Sequence, residues 1–600
     1  MPRPKLGLTW VFFHLKKMYK LNISLFFQEK SLESYSLNPI WAFLGVISLA
    51  LVWLAPNHAY PWLTFFSDAL IGVIFALAIA AAWYSQSGRP AVFGINVLSA
   101  VLVAVPLLQY WTGSIHFVGH ALVCTLYLCG FLLAQIGAQM VERKYPQRII
   151  TLLFTAILLA ATISVGLALY QWLGLTQSAS EIDIWVLGYD GDRPIANLGQ
   201  ANQLATLLIW GTLAVGFGLW RGVLGRWVAW IVTAWLLTGL ALTQSRTGLI
   251  SLLLVSLFAV VWRPVGRLPR IRWFVASLSA WYALCLWAAY ELRGLLLTGA
   301  QSSILERSSG AIRLKIWEIF LDASTQHPWF GFGFDQATSA HVAVADRHSS
   351  LGSVAAQAHN QLLDFVVWMG WPIGLTFGAA LVIWFLVAWR RVREIPDALG
   401  MLFISVVFVH SLLEYPLAYA YFLLPVGAMI GVMNVRLQIG KVMKTAGNTV
   451  CALLFGLYLS SVALLCMTIY DYVRLEDAFR HIRFQKANIK MHHTATVPEV
   501  LILDDIKMKL DFILYTPRAN ESESVIRNLV AVNVYSPSAD SLFKLVTLLE
   551  LNGHSEEAQI WMRKAPRLLA KALQDVIPAY WAEQQRIFPQ LASRDWVKAD

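Results

Sequence analysis

Three arginines, one histidine and a few amides and acids carry the chemistry this chain can do. Arg193, Arg246 and Arg313 each offer a planar guanidinium fork that matches phosphate oxygens two at a time. His359 offers an imidazole whose ordinary titration lies near neutral pH, which suits it to take a proton from a hydroxyl. Together these groups describe a transferase that activates a hydroxyl and stabilises a departing phosphate. Gln200, Asn202, Gln203, Asp364, Glu414 and Tyr415 lie at the ends of apolar runs. Strongly polar groups near membrane depth are costly to bury and so mark functional positions. Each also has a plain reading: Arg246 as a lipid-headgroup contact, Arg313 as a surface-helix residue beside Trp317, His359 as a loop residue before a helix. His116, His120 and His410 read as packing or interface residues.

Metal chemistry is not expected. Asp190-Gly-Asp192 spells the DxD of metal-dependent glycosyltransferases, but three letters in a Gly-rich stretch read better as a turn. His492-His493 has no acidic or His partner at helical spacing. The five cysteines, Cys124, Cys129, Cys285, Cys451 and Cys466, all fall in apolar segments and read as small packing residues rather than a disulfide or metal framework. No cofactor is expected.

The elements that hold these residues are set by composition. Of 600 residues, 58% are hydrophobic and only 14% charged, and the mean hydropathy is +0.59. A soluble chain is charged on roughly a quarter of its residues. This is a polytopic membrane protein, all-α, with about 13 spans by the usual length of about 20 apolar residues. The candidates are 40–55, 66–84, 91–111, 117–140, 149–174, 201–219, 227–243, 246–262, 273–290, 371–389, 398–413, 418–434 and 448–470. The run Leu8–Phe13 is too short for a cleaved signal. With a cytoplasmic N-terminus, 22 of the 29 Lys and Arg before residue 471 line the inner side. The net charge of +11 is therefore a topology signal and not a nucleic-acid surface. Arg193, Arg246 and Arg313 are exceptions on the outer side, and a bound anion accounts for them.

The expected organisation is a cytoplasmic segment 1–39, nine spans in 40–290, an exterior catalytic loop 291–370, four spans in 371–470 and an exterior helical domain 471–600. In the loop, apolar spacing predicts a helix over Ala311–Phe320. A Pro/Gly stretch, an Ala/Ser-rich loop and a surface helix Gln361–Gly370 follow. The tail, with 17 basic and 17 acidic residues, carries no net charge. Its spacing predicts a hairpin of Ser541–Glu550 and Ser555–Arg563, with Ser555 as N-cap, similar to one tetratricopeptide-type unit.

Five motifs in order carry a family resemblance. Arg193-Pro-Ile-Ala-Asn-Leu-Gly199-Gln200-Ala-Asn202-Gln203-Leu-Ala-Thr206 resembles the signature of bacterial protein O-oligosaccharyltransferases of the PglL type. Thr243-Gln-Ser-Arg246-Thr-Gly248 resembles a motif of the wider O-antigen ligase and polymerase superfamily. Arg313-Leu-Lys-Ile-Trp317 with His327-Pro-Trp-Phe-Gly331-Phe-Gly333 is similar to its exterior-loop pattern. Ala358-His359-Asn360 with Gly370-Trp-Pro-Ile-Gly374 is similar to its histidine motif, and Glu414-Tyr415-Pro416 to the block that follows it. The resemblance implies a periplasmic active site at the inner membrane. It also implies a glycan donor linked to undecaprenyl pyrophosphate, an acceptor protein such as a pilin or another periplasmic protein, and no nucleotide or metal. His359 would be the general base, Arg246 and Arg313 would hold the pyrophosphate, and Gln200 and Tyr415 would be further site residues. One departure stands out. Family members often carry an acid shortly before the Gly of the histidine motif, where this chain has Val367-Trp368-Met369-Gly370; Asp364 is the nearest substitute. An O-antigen ligase acting on a lipid core and a polymerase remain open as acceptor alternatives. A transporter is disfavoured, because the chain shows no internal repeat.

Overall fold

In the computed structural model, the chain is described at residues 39–85, 90–177, 181–188, 193–266, 270–295, 309–439, 447–489 and 495–596. The Asp190-Gly-Asp192 stretch, His492-His493 and the run Leu8–Phe13 lie outside them. Among the described residues nine helices are long and apolar enough to cross a membrane. Four shorter apolar helices join them: Pro39–Leu54, Arg246–Val261, Ile395–Ser411 and Ala420–Arg436. Each coincides with a segment expected from the sequence. The protein is an all-helical, polytopic membrane protein.

The chain divides into two compact units. The first comprises Met1–Pro56, Tyr145–Gln301 and Arg393–Val406. Its helices approach closely through small residues, as spans packing without a hydrophobic drive between them require. A Cβ on Gly211 would stand 2.9 Å from Ala161 Cβ, and one on Gly239 would stand 2.6 Å from Val165 Cγ2. Trp210 stacks on Phe403 at 3.9 Å and its Nε1–H donates to the Phe403 carbonyl at 3.0 Å, so the buried indole has a partner.

The second unit comprises Asn57–Lys144, Ser302–Val392 and Val407–Asp600. Here the loop and tail elements differ from expectation in four places. The helix in the loop spans Ser309–Ser324, longer than the apolar spacing alone indicated. The Ala/Ser stretch is not a loop: Ala337–Val344 is a helix, because alanine is the strongest helix former and Ala337, Ala340 and Val344 are buried in one cluster. The last apolar helix runs on to Lys486, so the tail begins inside the helix Asn448–Lys486 and not at its end. The hairpin forms as Ala539–Leu551 and Ser555–Leu568, but Ser555 is its first helical residue; His554 holds the cap position, and the Ser555 hydroxyl donates to Glu550. The tail core holds Leu529, Leu542, Leu545, Leu548 and Trp561, and two residues of the loop, Val342 and Ala345, belong to it.

The helix Gln361–Arg391 is broken at Gly370, where φ is 79°, as expected, but its first part is no surface helix: Phe365, Val367 and Met369 are buried in a core cluster. The bend is held by backbone contact. Phe332 N–H donates to Val367 O at 2.9 Å, Gly333 N–H to Trp368 O at 3.2 Å, and Trp371 N–H to Pro328 O at 2.8 Å. A Cβ on Gly331 would lie 2.4 Å from the Trp368 carbonyl carbon, and one on Gly370 2.4 Å from that of Trp329. The glycines of the two motifs are thus two sides of one close approach. Gln109 completes it: its Nε2–H donates to Trp368 O at 2.8 Å, and its Oε1 accepts from Phe334 N–H at 2.7 Å.

Candidate active site

His359 sits in a turn whose every neighbour is fixed. Its own φ is 53°, a left-handed conformation uncommon for histidine. Asn360 follows as the cap of the helix, its Oδ1 accepting from Leu362 N–H at 3.1 Å and Leu363 N–H at 3.4 Å. Asp364, only 1% exposed, accepts from Ala358 N–H at 2.8 Å through Oδ1, clamping the residue before the histidine. The run from Ala358 to Asp364 is therefore a device for holding one imidazole off-helix, and strain at such a position is retained where the surroundings over-determine it. Asp364 reaches the turn from inside the first helical turn and braces it.

Glu414 joins the two expected catalytic groups. Its Oε2 lies 2.8 Å from His359 Nδ1, and its Oε1 accepts from Arg313 Nη2–H at 2.7 Å. The carboxylate side chain is 8% exposed, the Arg313 side chain 17% and the His359 side chain 25%. Burial pushes the Glu414 carboxyl up, but the hydrogen bond and charge of His359, then those of Arg313, outweigh it and hold the carboxyl at about 2. An ionised Glu414 keeps a proton on His359 Nδ1 whether the imidazole is charged or neutral, so in the neutral form Nε2 is the acceptor; this tautomer is inferred from the hydrogen bond. Tyr415 packs edge-on to the His359 ring at 5.1 Å. Its hydroxyl is pushed up by burial and by the Glu414 charge, so it stays protonated. Arg313, His359, Asp364, Glu414 and Tyr415 are thus assembled in the second unit.

The remaining expected residues belong to the first unit. Ser245 caps the helix Arg246–Val261 by accepting from Gly248 N–H at 2.9 Å, and its hydroxyl donates to Asn202 Oδ1 at 2.7 Å. Gln244 enters the turn with φ of 46°. A Cβ on Gly248 would come within 2.8 Å of Ala205 Cβ. The motif Thr243–Gly248 thereby fixes Arg246 at the first position of a helix, where the dipole is positive. A cation there is unfavourable alone and favourable around an anion. Asn202 and Gln203 are 6% and 2% exposed; Gln200 precedes their helix at its cap position and is half-buried. After Arg193, the backbone is pinned by Gln171, whose Oε1 accepts from Ile195 and Ala196 N–H at 3.0 and 2.7 Å. Asn197 Nδ2–H donates to Leu54 O at 2.7 Å. Gln171 and Gln109 were not singled out by the sequence. Each is a buried amide inside an apolar helix, the signal by which they stand out.

His120, Cys124 and Asp335 place one ligand-type atom each within 4.8 Å of one another, and Cys124 is also buried in an apolar cluster, as a packing residue is. His116 and His410 do pack: His116 stacks on Tyr535 at 5.8 Å and His410 is fully buried.

Comparison with known proteins bears on this geometry. The O-antigen ligase family profile matches residues 231–378, and the profile of the C-terminal part of the virulence factor membrane-bound polymerases matches 398–576. The chain is thus a multi-pass membrane protein with one segment similar to the O-antigen ligases and another similar to the membrane-bound polymerases. It is 28% identical over 562 residues to the general O-oligosaccharyltransferase of Acinetobacter baylyi, covering 89% of this chain and 93% of that protein. It is 25% identical over 404 residues to the ComP-specific O-oligosaccharyltransferase of the same strain, covering 65% of this chain and 70% of that one. These similarities support a PglL-type O-oligosaccharyltransferase, and the chain is a glycosyltransferase.

Proposed function

We propose that the protein transfers a preassembled oligosaccharide from undecaprenyl pyrophosphate to Ser or Thr hydroxyls of periplasmic or pilin-type proteins. Protein O-glycosylation at the general level rests on the relatives. The donor, the acceptor and the residue roles are our reading. The observation that carries it is the Glu414 carboxylate held between Arg313 and His359 at 2.7 and 2.8 Å. In this reading Glu414 keeps His359 oriented with Nε2 as the base. Nε2 removes the acceptor proton as the oxygen attacks the anomeric carbon, and the bond to the pyrophosphate oxygen breaks. The leaving pyrophosphate accepts charge-assisted hydrogen bonds from Arg246, with Arg193 and the remaining Arg313 donors in supporting roles. Gln200, Asn202, Gln203, Asp364 and Tyr415 are assigned to shaping and positioning these sites. In this reading the protein sits in the inner membrane with a cytoplasmic N-terminus, and its loop and tail lie in the periplasm.

A lipid-core acceptor is the second reading, favoured by the O-antigen ligase profile. Reconstitution with a lipid-pyrophosphate glycan and both acceptors, a pilin-type protein and a lipid A core, separates them. Glycan on the protein supports the proposal; glycan on the lipid alone supports a ligase. Full transfer by His359→Ala would overturn the assigned base.

A further inference from the structure

We propose that His120, Cys124 and Asp335 form a binding site for a zinc-class divalent ion that ties the exterior loop and the tail to the outer end of a span. His120 and Cys124 are four residues apart on the helix Val118–Lys144 and so face the same way. His120 Nε2 lies 3.5 Å from Cys124 Sγ. Zn–N and Zn–S bonds of about 2.0 and 2.3 Å at a tetrahedral angle require an N···S edge of about 3.5 Å. Asp335 comes from the loop. Its backbone is left-handed, with φ of 60°. One oxygen of that carboxylate is held by Gln357 Nε2–H at 2.6 Å, the kind of outer hydrogen bond that orients a metal ligand.

The tail brings a further carboxylate near these three groups. The Asp505 carboxylate interacts electrostatically with both His120 and Cys124, and its Oδ1 is buried with no hydrogen-bond partner among the described residues. A carboxylate oxygen left in that state is destabilising unless a cation meets it. Its neighbour Asp504 accepts from Gly119 N–H at 2.8 Å, and a Cβ on Gly119 would collide with the Ile502 carbonyl at 2.1 Å. The tail backbone is thus docked one residue from His120. Three chain segments converge on one N, S and O donor set, the combination that zinc accepts and magnesium or calcium does not favour. Without metal, His120 Nε2–H donates to the Phe334 carbonyl at 3.0 Å. On binding, the imidazole shifts its proton to Nδ1 and offers the Nε2 lone pair, and Cys124 releases its thiol proton. The cluster shares no residue with the pair His359 and Glu414, and its role is to hold elements together.

The test uses the full-length protein in detergent. Metal analysis after desalting in the presence of zinc should find about one ion per chain. Cobalt(II) loading should give the ligand-field bands of a tetrahedral ion together with a thiolate-to-cobalt charge-transfer band. Cys124→Ser should abolish the charge-transfer band, and His120→Gln and Asp505→Asn should each weaken binding at least tenfold. Cys466→Ser, which alters an exposed cysteine outside the cluster, should leave the spectrum unchanged. Wild-type protein that retains no ion, or a charge-transfer band that persists in Cys124→Ser, overturns the site. The wild-type measurement stands even where a variant does not fold.

Discussion

Replacing Glu414 by Gln removes one charge and leaves the shape of the side chain. The Glu414 carboxyl sits at about 2 against an ordinary 4.5. At about 1.4 kcal/mol per pH unit, the surroundings favour its charged form by about 3.5 kcal/mol after its burial has been met. That preference belongs to the contacts at 2.7 and 2.8 Å with Arg313 and His359. In Glu414→Gln the amide oxygen still accepts from Arg313, so its NH2 group faces His359 Nδ1. The imidazole must then accept at Nδ1 and carry its proton on Nε2, the nitrogen that should be the base. Turnover should fall by about 10²–10⁴, the usual worth of a positioned proton acceptor, with the KM for donor and acceptor little changed. The assay is transfer by purified protein in detergent under saturating lipid-linked glycan, with Glu414→Gln, His359→Ala and the double variant compared. Each single loss should approach the double loss, because the pair acts as a unit. A Glu414→Gln enzyme with near-normal turnover beside an inactive His359→Ala would refute the orienting role of Glu414. So would a turnover loss matched by an equal loss of folded protein.

Acid should weaken the second unit through the same carboxylate. Glu414 is held low, so its contribution is complete above about 4.5 and is lost as pH falls toward about 2; thermal unfolding against pH should show this slope in wild type and a shallower one in Glu414→Gln. Ser245→Ala should lower stability by about 1 kcal/mol through loss of the cap, and lower activity further by freeing Asn202 and the helix start that carries Arg246, read as a thermal shift and a turnover assay. Gly370→Ala should prevent accumulation of folded protein, because φ of 79° is strained for alanine and its Cβ meets the Trp329 backbone; a monodisperse, active Gly370→Ala would contradict the docking described. Asp364→Ala should cost about 1–3 kcal/mol by leaving the Ala358 N–H unpaired, whereas Asp364→Asn keeps an acceptor and should retain most stability.

The sequence by itself determined what local physics can determine. Apolar runs of spanning length have no stable place outside a bilayer, so the thirteen segments and the helical class were readable one by one. The bend at Gly370 was readable too, since Gly-Trp-Pro interrupts a helix wherever it stands. The chemical types of Arg246, Arg313, His359 and Glu414 were also visible, because such groups are conspicuous in an apolar chain. The sequence could not show that Glu414 lies between Arg313 and His359, since the three are separated by 101 and 55 residues and meet only through packing. Nor could it show that Asp364 braces the turn before His359. The same holds for His120 and Cys124. Their spacing of four was in plain sight, but it gained chemical meaning only when the loop brought Asp335 within 4.8 Å. Residue type and periodicity are local properties of the chain; the distance between two distant side chains is set by the fold alone.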